Sequence, residues 1–452
     1  MANPIVSIFR VKELRERVLF TAAMLVVFRI GAFFPIPGIN AQVITRYFAD
    51  MATRGDANPI VNYLDFFAGG AFTNFSVFML GIMPYISMSI IMQLLLIVFP
   101  KLKKISQEDG GKKKIQKWQR YGTVGICMVQ SFAVTQFVQA IARDPSIGGL
   151  ENLLTIFPGG SIVPFTLISM LTVTTGTMFL MWIGEQITKR GVGNGISLLI
   201  FAGIVARLPE AMWELWSSVQ NGLLNPVFVI LILLMFFAVV ALVVFEQQGQ
   251  RKIPVNYAKR VVGRKMFGAQ NTYIPFKINP SGVIPVIFAS SILMFPMQIF
   301  GVGTAPWMAA IARFLNPMSV SYNIVYVLLI IFFAYFYTQV TLNPIEIAKQ
   351  IRENGGSIPG IRAENIERYL TRILNRIVLP GSLYLAFIAV TPTLIQLAFD
   401  GVPASVAFLM GGTSLLIMVG VGLDTMSQVE GLLKMHHHEG LTRKGRIRGR
   451  NL

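Results

Sequence analysis

Gly81-Ile82-Met83-Pro84-Tyr85-Ile86 returns later in the chain as Gly282-Val283-Ile284-Pro285-Val286-Ile287. A second phrase, Gly195-Ile196-Ser197-Leu198-Leu199-Ile200, returns as Gly412-Thr413-Ser414-Leu415-Leu416-Ile417. The first pair falls in the second and seventh apolar segments, the second pair in the fifth and tenth. An internal duplication of five segments leaves echoes at matching ordinals. The four segments that carry them are therefore expected to meet around one axis.

Around these phrases the chain is built for hydrocarbon. Of its 452 residues 54% are hydrophobic and 13% charged, and the mean hydropathy is +0.62. A soluble chain carries about twice that charged fraction. A helix crosses a bilayer with roughly 20 apolar residues. The pattern predicts an all-α polytopic membrane protein of ten spans: Val18–Phe34, Phe75–Phe99, Tyr121–Ile141, Ile162–Ile183, Ile196–Ala206, Pro226–Phe245, Val283–Phe300, Ile324–Leu342, Ile377–Phe399 and Val406–Leu423. The fifth is short, and Leu208–Val219 is a candidate extension of it.

Positive charge sets the orientation. With the N-terminus in the cytosol, 33 of the 39 Lys and Arg fall on cytosolic stretches. Both termini are then cytosolic, and the first span stays as a signal anchor. Its apolar run passes into Pro35-Ile36-Pro37-Gly38 with no small-residue cleavage site. Five spans per half is an odd number, so the second half enters from the opposite face and the repeats are inverted. The expected halves are 1–221, with an external segment at about 60–72, and 222–452, with cytosolic loops 246–282 and 343–376 and a basic tail 424–452.

The axis is informative for what it lacks. Arg29 is the only charged side chain within the ten spans, whereas ion-coupled transporters keep buried ionisable groups on their path. Snorkelling to the outer surface accounts for Arg29 without giving it a role. The echoed phrases instead offer Ile82, Ile86, Ile196, Ile200, Ile287 and Ile417. Isoleucine in a span ordinarily faces lipid or a neighbouring helix; only the duplication argues that these six converge. If they do, they form an apolar constriction that stops water and ions by dewetting.

Catalytic chemistry is not written here. There is no G-x-x-x-x-G-K-[ST] phosphate loop and no histidine in a span. Gly420-Val421-Gly422-Leu423-Asp424 matches a G-x-G-D protease motif only loosely and has no second in-span Asp. His436-His437-His438 reads as part of a flexible tail, since three consecutive residues do not face one ion on a helix. Cys127, the one cysteine, reads as packing. No enzyme, cofactor or metal site is expected. An inverted-repeat secondary transporter of a small solute is the alternative, and it requires a polar midplane site.

Several longer phrases resemble the SecY family, the channel subunits of the Sec protein translocase, in its bacterial form. They include Phe28-Arg29-Ile30-Gly31, Gly176-Thr177-Met178-Phe179-Leu180-Met181-Trp182, Gly184-Glu185-Gln186-Ile187-Thr188, Val255-Asn256-Tyr257-Ala258-Lys259-Arg260 and Gly411-Gly412-Thr413-Ser414-Leu415-Leu416. The likeness runs nearly end to end. It implies an hourglass channel that passes unfolded secretory polypeptides and releases transmembrane segments sideways into lipid. It also implies that the six isoleucines form the pore ring.

The outer stretch Ile60-Val61-Asn62-Tyr63-Leu64-Asp65-Phe66-Phe67-Ala68 followed by Gly69-Gly70 is an apolar turn or two with a glycine stop. An interfacial helix is one reading; the resemblance implies a plug under the ring, built on Tyr63, Leu64, Phe66, Phe67, Gly69 and Gly70. The basic loops likewise admit two readings. Contact with anionic lipid explains charge in general, but not loops longer than the crossing needs. The resemblance implies docking of the ribosome or the SecA ATPase through Lys259, Arg260, Arg264, Lys265 and Arg362. It further implies SecE and SecG subunits, signal peptides, nascent chains and membrane lipids as partners, and a bacterial plasma (inner) membrane location.

Overall fold

The computed structural model describes residues 11–54, 65, 68–141, 162–222, 224–257, 260–262, 265–267, 271–300, 306–317, 319–398, 402, 406–407 and 412–444. The described chain is mostly helical. In order the helices are α1 (Lys12–Gly31), α2 (Ala41–Arg54), α3 (Met83–Val98), α4 (Pro100–Gln107), α5 (Gly111–Ile141), α6 (Ile162–Arg190) and α7 (Gly195–Gln220). They continue with α8 (Pro226–Gln248), α9 (Ile284–Phe300), α10 (Pro306–Phe314), α11 (Val320–Thr341), α12 (Pro344–Glu353), α13 (Ile366–Ala398) and α14 (Gly412–Lys444). Among the described residues, seven helices are long and apolar enough to cross a membrane, or eight if the bent pair α3–α4 is one span. Each of the ten expected spans falls on a helix, which is consistent with the ten-span reading.

Local chemistry explains many of the helix starts. Asn225 accepts from the Val227 N–H and Asn343 from the Ile345 N–H, each at 3.1 Å, with Pro226 and Pro344 opening the helices that follow. The Asn oxygen satisfies an orphan donor, and Pro has none to lose at the first position. α8 is apolar all round yet exposed, with Phe245 at 77% and Leu234 at 68%. An apolar face of that size left outside the protein is suited to lipid.

Two expectations about extent need correction, for the second span and the tail, and the proposed extension of the fifth span is met. The second span was expected over Phe75–Phe99, but helix begins only at Met83. Residues 77–82 are turns, with the Val77 N–H donating to Phe34 O at 2.9 Å and the Ile36 N–H to Phe75 O at 2.8 Å. Gly81 adopts φ +57, and Pro84 then sits where a helix tolerates it. The fifth span is one continuous helix that carries Pro209 inside it. The tail around His436–His438 continues as helix to Lys444.

The helical chain also carries a small sheet, where the 246–282 loop alternates basic and apolar residues. β1 (Gln250–Tyr257) pairs antiparallel with β4 (Asn271–Lys277), with Ile253 opposite Ile274. Between them β2 (Arg260–Val262) pairs with β3 (Lys265–Phe267). β5 (Gly356–Ser357), from the second basic loop, adds to the free edge of β1 through Asn256↔Ser357 and Tyr257↔Gly356. Beneath this sheet Ile253, Val255 and Phe276 join Ile351, Ile358, Ile366 and Leu370 in one buried apolar cluster. The two basic loops are thus one packed body.

The chain divides into two compact units, Met1–Glu210 with Ile417–Leu452, and Ala211–Leu416. In the first, α3, α5 and α6 pack on one another and α1 packs on α6. Gly176 is where α6 meets the turn before α3: a Cβ there would overlap the Val77 carbonyl oxygen. In the second, α11 packs between α9 and α13.

Candidate functional site

The echoed phrases fold alike. Gly81 has φ +57 and Gly282 φ +60; helix begins two residues later in each case, at Met83 and at Ile284. Pro84 and Pro285 then fall at the second helical position. Only glycine adopts that left-handed backbone without strain, so the shared Gly-x-x-Pro dictates a shared break. The second pair behaves similarly, since α7 starts at Gly195 and α14 at Gly412. Four apolar helices thus begin at the four phrases.

Side chains on these starts are sheltered. Ile82 is 6% exposed and Ile86, one turn on, 5%. Ile200, Ile287 and Ile417 are buried too, while Ile196 is half-buried. Ile82, Ile86, Ile196, Ile200 and Ile417 lie in the first unit and Ile287 in the second. Ile196 also packs against a neighbouring helix: its Cγ1 stands 3.3 Å from where a Cβ on Gly184 would be. No charged residue occurs on α3, α9, α7 before Arg207, or α14 before Asp424. These stretches offer no charged group to a solute.

The start of α7 is fixed from several sides. Thr188 Oγ1 accepts from the Gly195 N–H at 2.9 Å and Asn194 Oδ1 from the Ile196 N–H at 3.1 Å. The preceding turn is tied to α1 and α14, because the Val192 N–H donates to Thr21 Oγ1 and the Gly193 N–H to Gln428 Oε1.

Of the expected plug residues, Gly69 and Gly70 are described, with φ +65 and +88; Tyr63, Leu64, Phe66 and Phe67 lie outside the described residues. Gly69 presses on α7, where a Cβ would stand 2.7 Å from Gly203 Cα. Its carbonyl accepts from Arg29 Nη1 at 2.6 Å, and the Arg29 guanidinium also lies 4.9 Å above the Phe33 ring. Arg29 therefore has a partner that snorkelling alone did not provide. Asp65, fully buried, pairs with Arg207 on α7. Sequence reading passed over Asp65, Gly203 and Arg207. For Gly203 and Arg207 the available signal was their spacing from Ile196 and Ile200 on one helix; Asp65 lies far away in sequence and had none.

Among the expected docking residues, Arg362 is exposed and follows Gly360, whose φ is +78. Arg260 and Lys265 are placed on the paired strands β2 and β3. Lys259 and Arg264 lie outside the described residues.

The SecY family's sequence model matches residues 76–426. A protein translocase subunit SecY of Escherichia coli strain K12 is 43% identical over 443 residues, covering 97% of this chain and 96% of its own. That of Aquifex aeolicus is 38% identical, covering 98% and 100%. Among solved structures, a protein-conducting channel aligns at TM-score 0.61 with 21% identity over 92% of each chain. Sec61 in the canine ribosome–channel complex from the endoplasmic reticulum aligns at 0.58 with 20% identity over 92% of each.

Proposed function

The chain belongs to the SecY family, and on that premise we propose that it forms the conduit by which unfolded secretory polypeptides cross a membrane and apolar segments pass sideways into lipid. An extended chain cannot cross hydrocarbon bare, because each unpaired peptide group costs several kcal/mol. It needs water for most of the path and one short seal against ions. The observation that carries this reading is the set of four helices that begin at the echoed phrases, each with a first stretch free of charge that carries one or more of the repeated isoleucines or follows directly on one. Isoleucine seals without discriminating among passing side chains. Ile82, Ile86, Ile196, Ile200, Ile287 and Ile417 would form that seal, and the segment at about 60–72 would close it as a plug.

The transporter alternative is left without support, since it needs an ionisable midplane site that these helices lack. The packed sheet and its basic edge would receive the ribosome or SecA through Lys259, Arg260, Arg264, Lys265 and Arg362. Rigid basic protrusions suit RNA phosphate or an acidic protein face. SecE and SecG would complete the assembly. The bacterial plasma membrane would hold it with both termini in the cytosol, as 33 of 39 Lys and Arg on one side support.

Proteoliposomes containing this chain with SecE and SecG test the function directly. Added SecA and ATP should carry a radiolabelled secretory precursor into a protease-protected state. Saturable uptake of a small solute with no precursor protection would overturn the reading.

A further inference from the structure

Glu246 stands in the last turn of α8, just before the chain enters β1, and only 6% of it is exposed. Several parts of the second unit meet near this point. The Ile278 N–H donates to Gly249 O at 2.9 Å, which joins the end of β4 to the end of α8. Two glycines leave room for Ile278. A Cβ on Gly249 would overlap Ile278 Cδ1, and one on Gly381 of α13 would stand 3.1 Å from the Ile278 carbonyl oxygen. Beyond Ile278 the chain turns through Asn279 and Ser281, each 3% exposed. Asn279 Nδ2 donates to Gly282 O at 3.0 Å, and Ser281 Oγ donates to Asn279 Oδ1 at 2.8 Å. α9 begins two residues after Gly282 and carries Ile287.

The carboxyl group at this joint is short of donors. Gln247 Nε2 donates to its Oε2 at 3.0 Å, while Oε1 is buried with no hydrogen-bond partner among the described residues. Tyr384 Oη on α13 is likewise buried and without a partner there, and it is electrostatically coupled to Glu246. From β4, Lys277 acts on the carboxyl from an exposed position. The turn and α9 bring no charged or titratable group. Among the described residues no Lys or Arg is buried, so none shares the carboxyl's dry surroundings. An ionised carboxylate has about four acceptor sites to fill, and burying one with a single donor is strongly unfavourable. A neutral acid fits the same space, because one oxygen accepts and the other carries a proton.

We propose that Glu246 is a positioning residue for α9, held as the neutral acid in the resting protein so that the end of α8, the 279–282 turn and α13 pack as one joint and fix where Ile287 stands. The inference rests on reading Ile287 as part of the seal. Ionisation draws water to the carboxylate and parts the joint, and α9 loses its fixed start. The packed joint binds a proton that the parted one releases. It is therefore stable at low pH and lost as the pH rises through the titration of the buried group.

Resting ion conductance in planar bilayers tests it, using the full chain assembled with its partner subunits and no precursor. The bath facing the sheet is taken from about pH 6 to about pH 9, a range that covers the titration of buried glutamates. The parent should be tight at the low end, and its conductance should rise by about tenfold across the range, the change in ionised fraction for one unit of titration. Glu246→Gln, the neutral near-isostere, should stay tight throughout. Coincident profiles for the two proteins would overturn the proposal. So would a Glu246→Gln variant that leaks at low pH or does not assemble, because the proposal requires a neutral group to be tolerated. Precursor protection by the parent at neutral pH separates the two ideas. If the precursor is protected and the profiles coincide, the conduit stands and the role of Glu246 falls. If the parent protects no precursor, the seal reading of Ile287 fails and the proposal with it.

Discussion

Gly176 and Gly125 lie on neighbouring helices of the first unit and answer to different constraints. A Cβ on Gly176 would overlap the Val77 carbonyl oxygen, whereas one on Gly125 would meet nothing within 4 Å. Gly176→Leu should therefore destabilise the protein by about 1–3 kcal/mol, the usual penalty of overpacking. Gly125→Ala should be neutral or stabilise by up to ~1 kcal/mol through helix propensity. Thermal unfolding in detergent separates the two. The ion pairs divide in the same way. Arg120 holds Glu185 at 2.6 Å, yet 41% of the arginine side chain is exposed, so Glu185→Gln should cost at most about 1 kcal/mol. Asp65, by contrast, is fully buried against Arg207. Sequence alone does not distinguish these cases, because burial is a property of the neighbours. It marked Arg29 as an anomaly but could not find its acceptor, since Gly69 is 40 residues away and the bond goes to a backbone carbonyl.

At the scale of elements, glycine and proline spoke most clearly. The repeated Gly-x-x-Pro marked equivalent sites, and Gly81 and Gly282 do share φ near +60, a break that the reading of Phe75–Phe99 as one span did not contain. What apolar periodicity missed is that Phe75–Ile82 is not helix: a run of greasy residues looks the same in a turn as in a span. The sheet was legible only as a rhythm. Its second edge comes from β5, some 100 residues downstream, a pairing that no local pattern encodes. Two substitutions dissect this platform. Val255 is 0% exposed inside the apolar cluster, so Val255→Asp should unfold the sheet locally, make it protease-sensitive and abolish SecA-driven export. Arg362 is exposed at a loop, so Arg362→Glu should block motor-driven export while protease resistance and membrane insertion persist. Normal export in the Arg362 variant would remove that residue from the docking surface.

For the whole molecule, class and architecture follow from composition. A chain with 54% hydrophobic and 13% charged residues has one solvent open to it, and its described helices fit that solvent. The duplication together with the missing charges made an apolar constriction legible; passage of polypeptides was read from the family resemblance, and the family membership agrees with it. The convergence of the isoleucines is a different matter. Ile82, Ile86, Ile196, Ile200 and Ile417 fall in one compact unit and Ile287 in the other, so Ile287 is the position where the central claim is most exposed. A photo-crosslinking residue placed at Ile287, in vesicles holding this chain with its partner subunits, should capture a secretory precursor stalled halfway, and deletion of the precursor's signal sequence should abolish the adduct. Adducts to lipid or neighbouring helices alone would mean that the repeated isoleucines are packing, and that the polypeptide does not pass between them.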